Sequence, residues 1–180
     1  SVSSSGLQGE LGVDLPSTNQ RVVSADGRYV VFKSYSANLV PGDTNGFQDV
    51  FLRDRRRSAT ELVSVTAGGS PANGGSGVFG ITISPGARYV VFESIASNLV
   101  PGDSNGVRDV FLRDRQIGTT ERVSVATGGA QGDDDSLLPS ISADGRYVAF
   151  ASDATNLVPG DTNGASDIFV HDRLTGTTER

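Results

Sequence analysis

The sequence predicts an all-β protein built from repeats. Three stretches, at 29–54, 89–114 and 147–172, are near copies of one another. In each copy the aspartate of a D-[TS]-N-G motif follows the leading tyrosine by 14 positions, and a second aspartate closes the copy 11 positions later. Apolar and polar residues alternate on both sides of this bend, as in a β-hairpin, and no helical 3.6-residue periodicity occurs.

Each repeat predicts four strands. The first ends at a DG or PG turn and is expected near Arg21–Ser24, Ile81–Ser84 and Pro139–Ser142. The second, RYVVFKS and its counterparts, is an apolar run that predicts burial on both faces. The third, DVFLRD, alternates strictly, and a turn leads to the fourth, ELVSV or ERVSV. The chain 1–180 is one module whose repeats span about 1–63, 64–123 and 124–180.

Composition narrows the function classes. Hydrophobic residues make up 36% of the chain and aromatic residues 7%, and there are 23 glycines and no tryptophan. Each unit therefore has a thin core and must stack on a neighbour to bury its faces. The net charge of −6 argues against a nucleic-acid partner. No stretch approaches the roughly 18 apolar residues of a membrane span, and the absence of cysteine leaves the redox compartment open.

Four antiparallel strands in each repeated unit are the signature of a β-propeller blade. The predicted fold is thus a β-propeller made of three four-stranded blades per chain. The pattern SxDGRYVAF…SD…DxNGxxDIFVxDxxTGxxxR is similar to the WD-like repeat of TolB-type six-bladed propellers, which prolyl-oligopeptidase propellers also use. The resemblance covers all three repeats and implies the fold, whereas propellers host unrelated activities. The NLVPG segment lengthens the hairpin loop beyond the usual repeat.

Three blades form an open arc, because propellers close with about four to eight blades. The two terminal blades would expose apolar faces on the order of several hundred Å². The last repeat stops at Arg180, where the others continue into VSV, and the chain starts at Ser1-Val2. We therefore expect a homodimer that closes a six-bladed ring, each N-terminus completing the partner's last blade. The alternative is that these residues are a piece of a longer chain, and the two expectations are compatible.

The D-[TS]-N-G loops are the candidate metal sites. Each carries carboxylates at positions one and seven, an amide at three and a glycine at four, oxygen donors of the kind that Ca²⁺ prefers. The competing interpretation is structural, because Asn-Gly is a favoured hairpin turn and the preceding aspartate can bond its backbone. TolB-type repeats have a similar acidic hairpin, which also favours the structural interpretation. The candidate ligands are Asp43, Asn45, Asp49, Asp103, Asn105, Asp109, Asp161, Asn163 and Asp167.

No residue set indicates catalysis. His171, the single histidine, stands where the other repeats have Arg53 and Arg113, and strand alternation predicts that it points outward. No serine lies in a strand–turn–helix nucleophile elbow. We expect a non-enzymatic, secreted, periplasmic or cell-surface scaffold that binds protein or carbohydrate, since repeated equal sites suit multivalent binding. The alternatives are the propeller portion of a secreted hydrolase or lyase, and a structural or engineered half-propeller that serves as an assembly module.

Overall fold

The computed structural model describes residues 2–10, 13–14 and 21–180 of the chain. All regular secondary structure in these ranges is β-strand, and none of the described residues forms a helix that could cross a bilayer. The strands are β1 (Val13–Asp14), β2 (Tyr29–Ser34), β3 (Asp49–Asp54), β4 (Ala59–Leu62), β5 (Ser76–Ile83), β6 (Tyr89–Ser94), β7 (Asp109–Asp114), β8 (Thr119–Arg122), β9 (Ser136–Ile141), β10 (Tyr147–Ser152), β11 (Asp167–Asp172) and β12 (Thr177–Glu179).

The strands form three antiparallel sheets, in each of which the strand order follows the chain. Blade 1 comprises β1–β4, blade 2 comprises β5–β8 and blade 3 comprises β9–β12. The predicted hairpin is confirmed in all three, since the leading tyrosine pairs with the closing aspartate. This closing aspartate also caps the following turn: Asp54 Oδ1 accepts hydrogen bonds from the backbone N–H groups of Arg56 and Arg57.

The first strand of each blade begins earlier than the sequence predicts. In blade 2 it starts at Ser76 rather than Ile81, because its register slips by a bulge between these residues. Gly77 lies in this bulge with a φ of 74°. For the first strand of blade 1 the described residues show Val13–Asp14 paired with β2, and Val23 makes an isolated bridge to Val30. A bulge interrupts the alternation of residues, so that simple period-two patterning misses the start of the strand.

The core lies between the sheets. Strand β5 packs on β2 and β3 of blade 1, and β9 packs on β5, β6 and β7 of blade 2. Between blades 1 and 2, Val31, Val50 and Leu52 meet Phe92 and Phe111, all with less than 2% of their surface exposed. Blade 2 packs on blade 3 in the same way. Because each sheet buries its faces against its neighbours, stability depends on the blade-to-blade interfaces.

A linker joins each blade to the next. The Ser64 hydroxyl donates to Asp49 Oδ1 of blade 1 at 2.6 Å, and the Val65 carbonyl accepts from the Thr120 hydroxyl of blade 2 at 2.6 Å. The linker is thus bonded to both blades that it connects. Residue Val2, ahead of blade 1, repeats the second contact, since its carbonyl accepts from the Thr60 hydroxyl at 2.6 Å.

An arginine from each following blade covers the tyrosine of the blade before it. The Arg115 guanidinium of blade 2 lies 4.8 Å from the ring centroid of Tyr29 in blade 1, and Arg115 also bonds Glu61 of that blade. Arg173 of blade 3 repeats the arrangement on blade 2 at 4.7 Å from its tyrosine ring. These contacts add cation–π attraction to the apolar packing at each junction.

Candidate functional site

In blades 1 and 2 the asparagine of the D-[TS]-N-G loop ties the loop to the next blade. Asn45 Nδ2 donates to Asp49 Oδ2 at 2.6 Å and to the carbonyl of Ala72, ahead of β5, at 2.9 Å. Its Oδ1 accepts from the Phe47 backbone N–H at 2.8 Å, which closes the turn. Asn105 makes the same three contacts in blade 2. Both ends of the amide are therefore engaged within the protein.

The aspartate at position seven is the centre of each junction. Asp49 and Asp109 are fully buried. Each accepts a hydrogen bond of 2.6 Å from a linker serine, Ser64 or Ser124, whose oxygen in turn accepts the N–H of the next strand residue. This satisfies the buried groups and fixes the linker. Asp167 of blade 3 has no such serine among the described residues.

An arginine compensates the loop carboxylates in two of the three blades. Arg122 Nη1 lies 3.0 Å from Asp103 and 3.1 Å from Asp109. In blade 3, Arg180 Nη1 lies 2.7 Å from Asp161 and 3.2 Å from Asp167. One guanidinium thus bridges the first and the seventh position of the loop, which offsets the cost of burying two carboxylates.

Blade 1 lacks this arginine. Leu62 occupies the corresponding place on β4, where it packs on the apolar cluster of Phe32 and its neighbours. Asp43 is 7% exposed, and its Oδ1 has no hydrogen-bond partner in the described part of the chain. Burial raises the pKa of Asp43, and burial together with the charge of Asp43 raises the pKa of Asp49 to about 6. Among the described residues, no cation therefore faces the buried carboxyl pair of blade 1.

The structure brings the predicted metal ligands together only in part. Within each loop the two carboxylates converge, but the Asn45, Asn105 and Asn163 amides donate to the aspartate of position seven. Across the described residues, no three side chains of His, Cys, Asp or Glu gather in a way that suits a metal ion. Metal binding at these loops stays a prediction.

Glu93 is a buried acid that the sequence analysis missed. It lies on β6 with no exposed surface, and its Oε1 accepts the Phe79 backbone N–H at 2.7 Å, within the β5 bulge. Its Oε2 has no hydrogen-bond partner within residues 2–10, 13–14 and 21–180, and burial raises the pKa of Glu93 to about 7. Lys33 and Ala151 occupy the same position in the other blades. The sequence signal that could have identified Glu93 is a carboxylate within an apolar strand, at a position where the other two repeats have a lysine or an alanine.

The predicted outward position of His171 is wrong. The side chain is 7% exposed, and its Nδ1 lies 2.9 Å from the Thr178 hydroxyl on β12. Burial lowers the pKa of His171. Arg53 and Arg113 reach the equivalent hydroxyls of Thr60 and Thr120. The position faces the neighbouring strand and linker rather than water, so the histidine has a packing role.

Comparison with known proteins identifies the fold. No family model matches the sequence, and no curated protein matches it. Among solved structures, TolB from Acinetobacter baumannii is 17% identical with a TM-score of 0.52, over 87% of this chain and 30% of that one. Putative TolB from Agrobacterium tumefaciens is 14% identical with a TM-score of 0.53, over 90% and 50%.

Oligogalacturonate lyase from Vibrio parahaemolyticus is 13% identical with a TM-score of 0.54, over 94% of this chain and 40% of that one. The chain therefore spans half or less of each of these structures. Identities at this level speak for the fold and not for an activity. With these structural similarities and its three four-stranded antiparallel sheets, the chain has the fold of TolB-type β-propellers, of which it carries three blades.

Proposed function

We propose that this chain is a non-enzymatic propeller scaffold, and that two copies close a six-bladed ring that binds a protein or a carbohydrate. The exposed face of blade 3 carries the proposal. Ile168 and Val170 are 63% and 38% exposed. Their counterparts in blade 2, Val110 and Leu112, lie beneath blade 3 with at most 1% of their surface exposed. Blade 3 thus presents the surface that the other blades bury.

Blade 1 carries residues of the matching type, although Phe32, Leu39, Val40 and Phe51 are at most 9% exposed in the single chain. Phe92 and Phe111 of blade 2 face blade 1, with ring centroids 6.2 Å apart. In blade 1 the equivalent pair, Phe32 and Phe51, stacks at 5.6 Å, in a cluster with Leu39, Val40 and Leu62. Residues of the same kind in the same register favour the same packing, now against blade 3 of a second copy.

The arginine–tyrosine contacts support the same partner. Tyr29 and Tyr89 each lie between an arginine of their own blade and one of the following blade. Tyr147 contacts Arg146 alone, and 41% of its surface is exposed. Arg55 of blade 1 is the counterpart of Arg115. We therefore assign Arg55 of the second copy to the open side of Tyr147, paired with Glu179.

Two repeated grooves favour a binding role. In blade 1 a groove runs between Ser4, Ser5 and the NLVPG segment that contains Asn38. In blade 3 the corresponding groove runs between Thr127 and the segment that contains Asn156. Hydroxyl groups and a proline line both, and such a mixture of polar and apolar atoms suits a sugar or an extended peptide. Similar grooves on blades 1 and 3 would give avidity for a repetitive ligand.

The ring is tested by solution mass. Multi-angle light scattering should give twice the chain mass of 18.7 kDa for the wild type. Ile168→Asp should give single chains, because it places a charge in the proposed interface. Ile117→Asp is the matched control, since Ile117 is 65% exposed in a turn of blade 2 and should leave the dimer intact. A monomeric wild type, or a dimer that survives Ile168→Asp, contradicts the ring.

Ligand binding is tested separately. A glycan array and a panel of peptides should reveal stoichiometric binding that Asn156→Ala or Thr127→Ala weakens. A secreted, periplasmic or cell-surface location is part of the proposal, and fractionation of the source cells would test it. Turnover of a polysaccharide or peptide substrate without stoichiometric binding would favour an enzyme over a scaffold.

A further inference from the structure

The three loops differ in what faces their carboxylates. In blades 2 and 3 the last residue of the equivalent fourth-strand segment is an arginine, Arg122 or Arg180, that reaches both aspartates. Gln131 Oε1 also accepts from Arg122, at 2.9 Å. In blade 1 the two positions hold Leu62 and Pro71, neither of which can donate or accept a hydrogen bond through its side chain.

The carboxyl pair of blade 1 is nonetheless as buried as the others. Asp49 has no exposed surface, and Asp43 is 93% buried with an oxygen that makes no hydrogen bond to any residue that the structure describes. A buried, unpartnered carboxylate oxygen is costly unless a cation or a proton compensates it. A cleft lined in part by Gly42, Leu62, Pro71 and Arg113 lies beside the loop, next to Asp43.

We propose that a Ca²⁺ ion takes the place of the guanidinium in blade 1, bound by Asp43 and Asp49. Two carboxylates supply the charge that a divalent ion neutralises, and water entering by the cleft completes the oxygen shell that Ca²⁺ needs. The site exists once per chain, because an arginine fills the equivalent space in blades 2 and 3. It is independent of ring closure, since both ligands belong to one loop of one copy.

A shared proton is the competing way to neutralise the pair. Ca²⁺ and a shared proton differ in their dependence on pH. A proton dissociates as the pH rises, whereas Ca²⁺ binds better once the carboxyls are ionised. Measurements at pH 7.5 on protein freed of metal with a chelator therefore separate them.

Calorimetric titration with CaCl2 should give one ion per wild-type chain. At about 100 times Kd, Ca²⁺ should raise the Tm by roughly 5–10 °C for a domain of this size. Leu62→Arg copies the arginine of blade 2 into blade 1 and should abolish both effects. Arg122→Leu makes blade 2 resemble blade 1 and should raise the stoichiometry from one to two.

Asp43→Asn keeps the test decisive if Leu62→Arg does not fold, because it removes one ligand charge at nearly constant shape. It should lose Ca²⁺ binding while circular dichroism stays unchanged. Absence of Ca²⁺ heat and of any Tm shift in the wild type at pH 7.5 would overturn the site in favour of the proton. Undiminished binding to folded Leu62→Arg would overturn it as well.

Discussion

The guanidinium of Arg173 lies 4.7 Å from the ring centroid of Tyr89, although the two residues belong to different blades. Arg88 covers the other side of the same ring at 4.8 Å. Arg173 also lies 2.5 Å from Glu121, on the fourth strand of blade 2. Arg173 of blade 3 thus contacts two strands of blade 2, β6 and β8. The two blades are therefore joined by these polar contacts as well as by apolar packing.

This contact predicts an energetic coupling between the two residues. A double-mutant cycle with Tyr89→Leu and Arg173→Met should give a coupling of about 0.5–1 kcal/mol in the free energy of unfolding. The cycle of Arg173→Met with Tyr147→Leu is the control, because Tyr147 contacts Arg146 instead. Equal coupling in the two cycles would show that the ring contact contributes nothing. Urea denaturation measures all the required free energies.

Charge reversal tests the proposed contact between copies. Arg55→Glu and Glu179→Arg should each weaken the dimer, because each places like charges together across the interface. An equimolar mixture of the two variants should form a heterodimer, since every interface then regains an opposite pair. Sedimentation velocity distinguishes these species. If the mixture is no more dimeric than either variant alone, Arg55 and Glu179 do not pair across the interface. The ring itself is tested independently by Ile168→Asp.

Glu93 predicts a pH dependence of stability. Its pKa is raised from 4.5 to about 7 in the folded protein, so the folded state holds a proton that the unfolded chain releases. The contribution of Glu93 to stability is therefore greatest below pH 4.5, falls as the pH rises to about 7, and is constant above it. The difference amounts to about 3 kcal/mol.

Glu93→Gln should remove this part of the pH dependence and stabilise the protein at pH 8, because a neutral amide needs no proton. Thermal melts between pH 4 and pH 8 provide the measurement. Glu61→Gln, a change at a half-exposed carboxylate of blade 1, is the control and should keep the slope. An unchanged slope in Glu93→Gln would assign the titration to another group.

The second strand of blade 3 predicts two unequal substitutions. Phe150 is 1% exposed and stacks on Phe169 with centroids 5.9 Å apart. Phe150→Ala should cost about 3–5 kcal/mol in the free energy of unfolding. Tyr147→Ala should cost less than half as much, because 41% of that side chain is exposed. Similar losses for both would mean that a partner already covers Tyr147 in solution, which would itself support the ring.

The fold could be predicted from the sequence because the same strand and turn pattern occurs in all three repeats. Each hairpin pairs tyrosine with aspartate as the spacing predicts. The start of the first strand was missed because Gly77 and its neighbours form a bulge, which breaks the period on which strand prediction depends.

The chemistry of the loops was less predictable. Near-identical D-[TS]-N-G motifs suggested three equal sites, yet Leu62 in place of Arg122 makes one of them different. The deciding residue lies on another strand, 13 positions beyond Asp49, and only the fold brings the two together. The position of His171 was predicted wrongly for a related reason. Alternation along the strand predicts the side of the sheet on which a side chain lies, but only the tertiary structure places a linker over that side.

Because each linker is bonded to the blade before it and the blade after it, the repeat array can grow by duplication of a unit during evolution. Duplicating one unit of about 60 residues, in phase with the Ser-Val pairs, would add one boundary at which the linker-serine and loop-asparagine contacts recur. Lengthening or shortening the array requires no new recognition surface. The number of blades in a closed ring then depends on the angle between successive sheets. A change in that angle, rather than the loss of a single hydrogen bond, would change the number of blades.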